Sequence, residues 1–378
     1  MAGMAGGNEG AGGRGTMPAG QGMEGRRSER ADLTDPHRQG YRMPAEWEPH
    51  AATWLAWPHN LDTWPHDLDR VRLTWVEFIR ALVPGERVHL LVNGAAAGRD
   101  ASTWLERGGV DPGGVTLHYI PTVDVWIRDY GPTFITRRDS PGALAFVNWR
   151  FNAWGLKYPE YVADDAVPEK LNEALRLPAF TPGIVLEGGS IDVNGAGLCL
   201  VTEECLLNPN RNPGRERKDI EALLERALGL ERVLWLPAGM AGDDTDGHID
   251  NLARFVDGDT VACVVEPDPA DENHRALQEN YRCLAAATDA AGRRLRVVPL
   301  PQPDPVTADG ARLPASYANF YIANGVVLVP LYGGPKDRAA LDTLADLFPD
   351  RRIAGIDARA LILGLGGIHC VTQQEPAT

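Results

Sequence analysis

Cysteine is scarce in this chain: five residues in 378, at positions 199, 205, 263, 283 and 370, an odd number with no Cys-x-x-Cys pair. That pattern excludes a disulfide framework and offers no thiolate zinc motif, and it predicts reduced thiols in a cytoplasmic protein. No apolar run approaches the ~20 residues that a bilayer-spanning helix needs. The opening Met-Ala-Gly-Met-Ala-Gly-Gly-Asn-Glu-Gly has neither the basic nor the apolar part of a signal peptide, so neither a membrane nor secretion is predicted. Histidine is also sparse, at nine copies, with no His-Glu-x-x-His or His-x-His pattern to mark a metal site. Basic residues are outnumbered 37 to 52 by acidic ones. The net charge of −15 would repel phosphates and disfavours a nucleic-acid partner, but it suits a small cation.

What is present is enough hydrophobic sequence, 44% of the chain, for one large core or two moderate ones. Residues 1–35, rich in Gly, Ala, Arg and Glu, read as a disordered lead-in, and 36–378 as a single α/β domain. Within it one unit recurs: a hairpin, an amphipathic helix and a short apolar strand. Asn194-Gly195, Asp257-Gly258 and Asn324-Gly325 mark three hairpin turns, and Pro141-Gly142 lies near a fourth. Helical spacing follows in Ile220, Leu223, Leu224, Ala227 and Leu228, in Leu277, Tyr281 and Leu284, and in Leu341, Leu344 and Leu347. Strands are predicted at 233–236, 295–300 and 352–356. A further unit near the start (strand 53–57, a helix through Leu68, Val71, Trp75, Phe78 and Leu82, strands 88–92 and 115–120) would be completed by a C-terminal strand carrying Cys370. Five degenerate units imply a radial, five-bladed α/β propeller, which removes exposed sheet edges. A doubly wound sheet is the competing architecture, and the number of hairpins argues against it.

Loops after equivalent strands would converge, and they hold the unusual residues: Asp129 in 124–132, Glu187 before two glycines, His248 and Asp250 in 242–250, and Cys370 after Gly364, Gly366 and Gly367. Taken singly, each has an ordinary reading. Asp129 could pair with Arg128 at the surface, Glu187 could begin a turn, and Cys370 could be a buried structural thiol. Asp246, His248 and Asp250 alternate, which on an extended segment places all three on one face and raises a metal-dependent hydrolase as a rival. A non-catalytic binder of guanidinium compounds is the other alternative.

Ordered motifs from 41 to 376 resemble the agmatine deiminases, in the guanidino-modifying (pentein) superfamily that also contains bacterial peptidylarginine deiminases. They are Tyr41-Arg-Met-Pro-Ala-Glu-Trp-Glu-Pro-His50, Thr53-Trp-Leu-Ala-Trp-Pro58, Val125-Trp-Ile-Arg-Asp-Tyr-Gly-Pro132, Phe151-Asn-Ala-Trp-Gly155, Glu187-Gly-Gly, Thr202-Glu-Glu-Cys-Leu-Leu-Asn-Pro-Asn-Arg-Asn-Pro213, Asp244-Thr-Asp-Gly-His-Ile-Asp250 and Ile368-His-Cys-Val-Thr-Gln-Gln374. The resemblance implies a five-bladed propeller, a dimer, and hydrolysis of agmatine to N-carbamoylputrescine and ammonia without metal or organic cofactor. By the same resemblance Cys370 is the nucleophile of a thiouronium intermediate, His248 the acid and base, and Asp129, Asp250 and Glu187 the grip on the guanidinium, with Trp126 in the pocket. Planar guanidinium matches bidentate carboxylates, and a soft thiolate suits its poorly electrophilic carbon. The chain departs from many agmatine deiminases at Asp246 and in the glycine run before Ile368, which leaves arginine or peptidylarginine as alternative substrates. An arginine carboxylate would need a cation, for which Arg128, Arg211 and Arg254 are the candidates. His369 receives no role.

Overall fold

The structure, a computed structural model, describes residues 35–378; the expected lead-in lies outside the described residues but for Asp35. Five of the sheets share one plan: an antiparallel pair, a crossover helix, and a third strand parallel to the second. In the first, Thr133–Arg137 pairs with Leu144–Val147, and after the helix Val167–Leu175 the strand Ala179–Phe180 closes the set. The second runs Asp192–Val193, Leu198–Thr202, helix Arg217–Leu228 and Arg232–Leu236. The third runs Ala253–Phe255, Thr260–Val265, helix His274–Ala286 and Arg296–Pro301. The fourth runs Tyr321–Ala323, Val326–Leu331, helix Asp337–Leu347 and Arg352–Asp357.

Both ends of the described chain build the fifth sheet. Gln373–Pro376 lies antiparallel to His50–Ala56, the helix Leu68–Leu82 leads to Arg87–Leu91, and a second helix, Gly94–Arg107, adds the edge strand Val115–His118. Each crossover helix forms because its apolar residues recur every three to four positions and bury one stripe. Arg217–Leu228 is the clearest case. It buries Ile220, Leu224, Ala227 and Leu228, is capped reciprocally by Glu216 and Asp219, and stops at Gly229, whose φ of 68° suits glycine.

The segment before Glu187 and the stretch carrying Cys370 are not strands. The segment 184–186 makes only an isolated bridge between Val185 and Arg150. Cys370 is not on a strand: Leu361–Gly364 and His369–Val371 are single 3-10 turns, and the strand begins at Gln373. Glycines at 364, 366 and 367 give this stretch no side chains to pack as a strand and let it press on Trp64, Trp126 and Asn319 instead.

Candidate active site

Chain crossings from the last strand of one sheet to the first strand of the next each deliver a polar residue to one place. The crossing from Val115–His118 to Thr133–Arg137 carries Asp129 in the short helix Ile127–Tyr130. That from Ala179–Phe180 to Asp192–Val193 carries Glu187, ahead of the turn Gly188–Ser190. The next carries His248 and Asp250 around the turn Ile249–Asn251. The fourth, between Arg296–Pro301 and Tyr321–Ala323, carries Asn319, and the last carries Cys370 in His369–Val371. Like positions in like repeats meet, so residues 241 apart in sequence share one site.

Distances establish the cluster. His248 Nδ1 lies 3.7 Å from Asp129 Oδ1 and Nε2 lies 3.9 Å from Glu187 Oε2. Cys370 Sγ lies 3.7 Å from Asp250 Oδ2. Gly189 is wedged at the centre: a Cβ there would fall 2.6 Å from His248 Nδ1, 2.9 Å from Asp129 Oδ1 and 3.1 Å from Asp250 Oδ2, so only glycine lets its N–H reach Asp129 Oδ1, at 3.0 Å. Trp154 Nε1 donates to the other oxygen, Oδ2, at 2.9 Å. The indole reaches it from a left-handed turn in which Ala153, Trp154, Gly155 and Leu156 all have φ between 54° and 82°, a backbone state that L-residues adopt at an energetic cost.

Asp129, Glu187, His248, Asp250 and Cys370 are all buried. Burial and the charges of Asp250 and Asp129 push the Cys370 thiol well above its ordinary value, so burial and the carboxylates together hold the resting thiol protonated. Two groups oppose them: the backbone N–H of Gly367, and Asn319, whose Nδ2 donates to Sγ at 3.2 Å. Burial pulls His248 down, but the charge of Asp129 and the proximity of Cys205 and Glu187 outweigh it and hold the imidazole well above its usual value. Asp129 is pushed up to about 6 by burial, with Asp250 and Glu187 adding to that against the opposing charge of His248. Burial raises Glu187 and Asp250 too, but Arg211 holds the first below the usual carboxylate range and His369 the second.

Four polar atoms in this cluster have no hydrogen-bond partner although they are buried: Glu187 Oε2, both ring nitrogens of His248, and Asp250 Oδ1. Buried polar groups left so are expensive in a protein interior, and their concentration at one point marks where a polar ligand is accommodated. A cavity of about 200 Å³ opens onto the cluster. Asp129 and Cys370 form part of its wall, with Trp126, Trp154, Tyr158, Tyr161 and Asp244, and no Lys or Arg among the described lining residues.

Several sequence expectations are corrected here. Arg128 does not pair with Asp129 at the surface: both are buried, and the guanidinium turns away to Gln374 Oε1 at 2.8 Å and Glu46 Oε2 at 3.4 Å. Asp246, His248 and Asp250 do not share a face, because the segment is not extended. Asp246 sits at φ 64° and is taken by Lys157 at 2.6 Å and Arg211 Nη1 at 2.6 Å, while Asp250 lies in a 3-10 turn. The metal reading built on those three therefore loses its geometry. Arg211 and Arg254 are likewise engaged, the first by Glu187 Oε1 at 2.7 Å and the second by Asp192 and by Glu46 at 2.9 Å. His369, given no role from sequence, bridges Asp250 Oδ2 and Glu46 Oε2, at 2.8 Å each. It thereby fixes one oxygen of Asp250 and leaves Oδ1 free. Asn319 and Glu46 were missed because a lone Asn and a Glu far away in sequence carry no local signal.

The model of the Porphyromonas-type peptidyl-arginine deiminase family matches residues 42–376. An agmatine deiminase from Medicago truncatula is 37% identical over 373 residues, covering 90% of this chain and 98% of its own. Another from Ectopseudomonas mendocina is 38% identical over 368 residues, covering 91% and 98%. Among solved structures, the agmatine deiminase of Enterococcus faecalis superposes with a TM-score of 0.84 at 34% identity, over 91% of this chain and 98% of that one. With its motifs, repeated topology and full-length relatives in agreement, this chain belongs to the Porphyromonas-type peptidyl-arginine deiminase family and has the α/β fold of the guanidino-modifying, or pentein, enzymes.

Proposed function

We propose that the protein hydrolyses agmatine to N-carbamoylputrescine and ammonia through a covalent adduct on Cys370. The observation that carries this reading is the set of unpartnered buried acceptors, Glu187 Oε2 and Asp250 Oδ1, beside a buried thiol in a cavity walled by carboxylates. A planar cation with N–H groups on both edges satisfies them together through charge-assisted bonds, about twice as strong as those of a neutral donor. Binding that cation also offsets the charges that keep the thiol protonated. The Cys370 proton leaves to solvent, and Sγ adds to the guanidinium carbon. As the tetrahedral adduct collapses, the C–N bond breaks, and the departing ammonia takes the proton that Asp129 helps His248 to hold. The S-alkylthiouronium that remains is attacked by water, whose proton returns to His248. The C–S bond then breaks as the remaining hydroxyl proton passes through solvent to the sulfur, which releases the neutral ureido product and restores the resting thiol.

Agmatine rather than arginine fits because the cavity wall is acidic and Arg128, Arg211 and Arg254 are each committed to buried carboxylates or amides. Asp244 faces the same cavity and accepts from Tyr158 at 2.7 Å. It is the counter-charge for the terminal ammonium. Ammonia release from agmatine, arginine and a blocked arginyl peptide, side by side for wild type and Cys370→Ala, tests the reading. Turnover of agmatine that disappears in the variant is expected; turnover of none of the three, or turnover that survives in the variant, overturns it. The dimer and the cytoplasmic compartment implied by the family belong to the same proposal, and sedimentation of the purified protein tests the first.

A further inference from the structure

Cys205 takes no part in that mechanism, yet its sulfur lies against the catalytic imidazole. Among the described residues, Glu187, Cys205 and His248 form the one group of three or more His, Cys, Asp and Glu side chains whose ligand atoms come within 4.8 Å of one another. We propose that these three side chains form a site for a borderline-soft divalent cation of the zinc class, and that filling it arrests the reaction.

The donor set is one sulfur, one imidazole nitrogen and one carboxylate oxygen, which suits zinc and leaves a fourth position for water. Two of the donors, Glu187 Oε2 and His248 Nε2, are buried with no hydrogen-bond partner and face each other across 3.9 Å. A tetrahedral ion would draw them together by about half an ångström. The remaining atoms of the same groups are already held as outer partners of a metal site would be. Arg211 Nε donates to Glu187 Oε1 at 2.7 Å, and Asp129 lies behind His248 Nδ1 at 3.7 Å, the carboxylate–imidazole arrangement that orients ligating histidines. The loops that bring Cys205 and His248 are tied directly: Thr202 Oγ1 accepts from Cys205 N at 3.2 Å and donates to Gly247 O at 2.6 Å.

Binding forms Zn–S, Zn–N and Zn–O bonds and displaces the thiol proton of Cys205 and the proton of His248 Nε2 to solvent, with no change of oxidation state. With the ion on Nε2 the ring keeps one proton, at Nδ1 beside Asp129, and cannot give it to a leaving group without becoming an anionic imidazolate, while Glu187 is lost to the guanidinium. Metal and turnover therefore exclude each other. The inhibitory half of this inference rests on the role proposed for His248; the binding half does not.

Cobalt(II), which takes the same ligands, tests binding without turnover. Full-length protein carrying Cys283→Ser and Cys370→Ala, free of the exposed thiol and the nucleophile, is expected to bind one equivalent with a thiolate-to-metal charge-transfer band that zinc abolishes. Adding Cys205→Ser is expected to remove the band. Absence of the band in the first protein, or its survival in the second, overturns the site. Should Cys205→Ser fail to fold, Asp129→Asn on the first protein is expected to weaken cobalt binding ~10–100-fold, as loss of an outer partner does, and unchanged affinity counts against the site. Zinc titrations of turnover in wild type and Cys205→Ser, each normalised to its own metal-free rate, test the second half. Sensitivity to zinc is expected to fall more than ~100-fold in the variant, since a ligand is lost rather than an outer partner. Equal sensitivity would place inhibition elsewhere while leaving the cobalt result to decide binding.

Discussion

Asn319 donates to the Cys370 thiol from a neutral side chain, beside the backbone N–H of Gly367, and removing it should slow thiolate chemistry by an amount the geometry sets. Its Nδ2 lies 3.2 Å from Cys370 Sγ, and its Oδ1 accepts from the backbone N–H of His369 at 2.8 Å. A hydrogen bond to a charged acceptor contributes about 1.5–3 kcal/mol, so its loss lowers the thiolate fraction about 10–100-fold. Asn319→Ala removes this donor together with the acceptor that holds the turn. Asn319→Asp keeps the acceptor and sets a third carboxylate beside Sγ, where Asp250 and Asp129 already push the thiol up. The assay is alkylation by iodoacetamide across pH, in a Cys283→Ser background so that the exposed thiol is silent. Below the midpoint of the thiol's titration the rate should fall by about 10–100-fold in the alanine variant and further in the aspartate variant, and saturating substrate should protect both. An unchanged pH profile in folded Asn319→Ala would refute the argument and reduce Asn319 to a loop brace.

Arg211→Leu leaves Glu187 buried without its guanidinium, both being fully inaccessible in the intact protein. Breaking a buried pair on one side costs about 3–5 kcal/mol, measurable as a shift of the urea midpoint. Asp129 has a folded value pushed up to about 6 from 3.8. Its ionisation therefore opposes folding: stability contributed by its protonated form is present at acid pH and is lost as pH rises through about 6. Asp129→Asn should raise the melting temperature at pH 8 more than at pH 5 while abolishing turnover; in the wild type, kcat/KM should fall on the acid side with a midpoint near 6 as this carboxylate is protonated. Asp244→Asn removes the counter-charge assigned to the ammonium of agmatine, so kcat/KM for agmatine should drop about 10–100-fold. With an alkylguanidine lacking the amine it should change little, and an equal loss with both would remove Asp244 from substrate recognition.

The repeated order of hairpin, helix and strand was legible because each piece has a local cause. Gly after Asn turns a hairpin at 194, and at 324 the two-residue turn joins Tyr321–Ala323 to Val326–Leu331. Leucines at helical spacing bury a stripe wherever they occur. Cys370, His248 and the three carboxylates stand in motifs distinctive enough to name one by one. Local reasoning failed where the backbone leaves a regular path: the alternation of 246, 248 and 250 assumes an extended chain, but Asp246 at φ 64° turns its carboxylate to Lys157 and Arg211.

Sequence by itself thus determined the repeats, the absence of an apolar run long enough to span a membrane, and the identity of the groups that can do chemistry, since propensity, periodicity and reactivity belong to residues and their near neighbours. Tertiary structure alone decided which of those groups are coupled. That the thiol rests protonated, that His369 steadies Asp250 from beside Cys370, that Asn319 donates to the sulfur, and that Cys205 stands behind His248 all depend on distances between chain crossings far apart in sequence. Desolvation and Coulomb attraction act through space, and no local pattern records them.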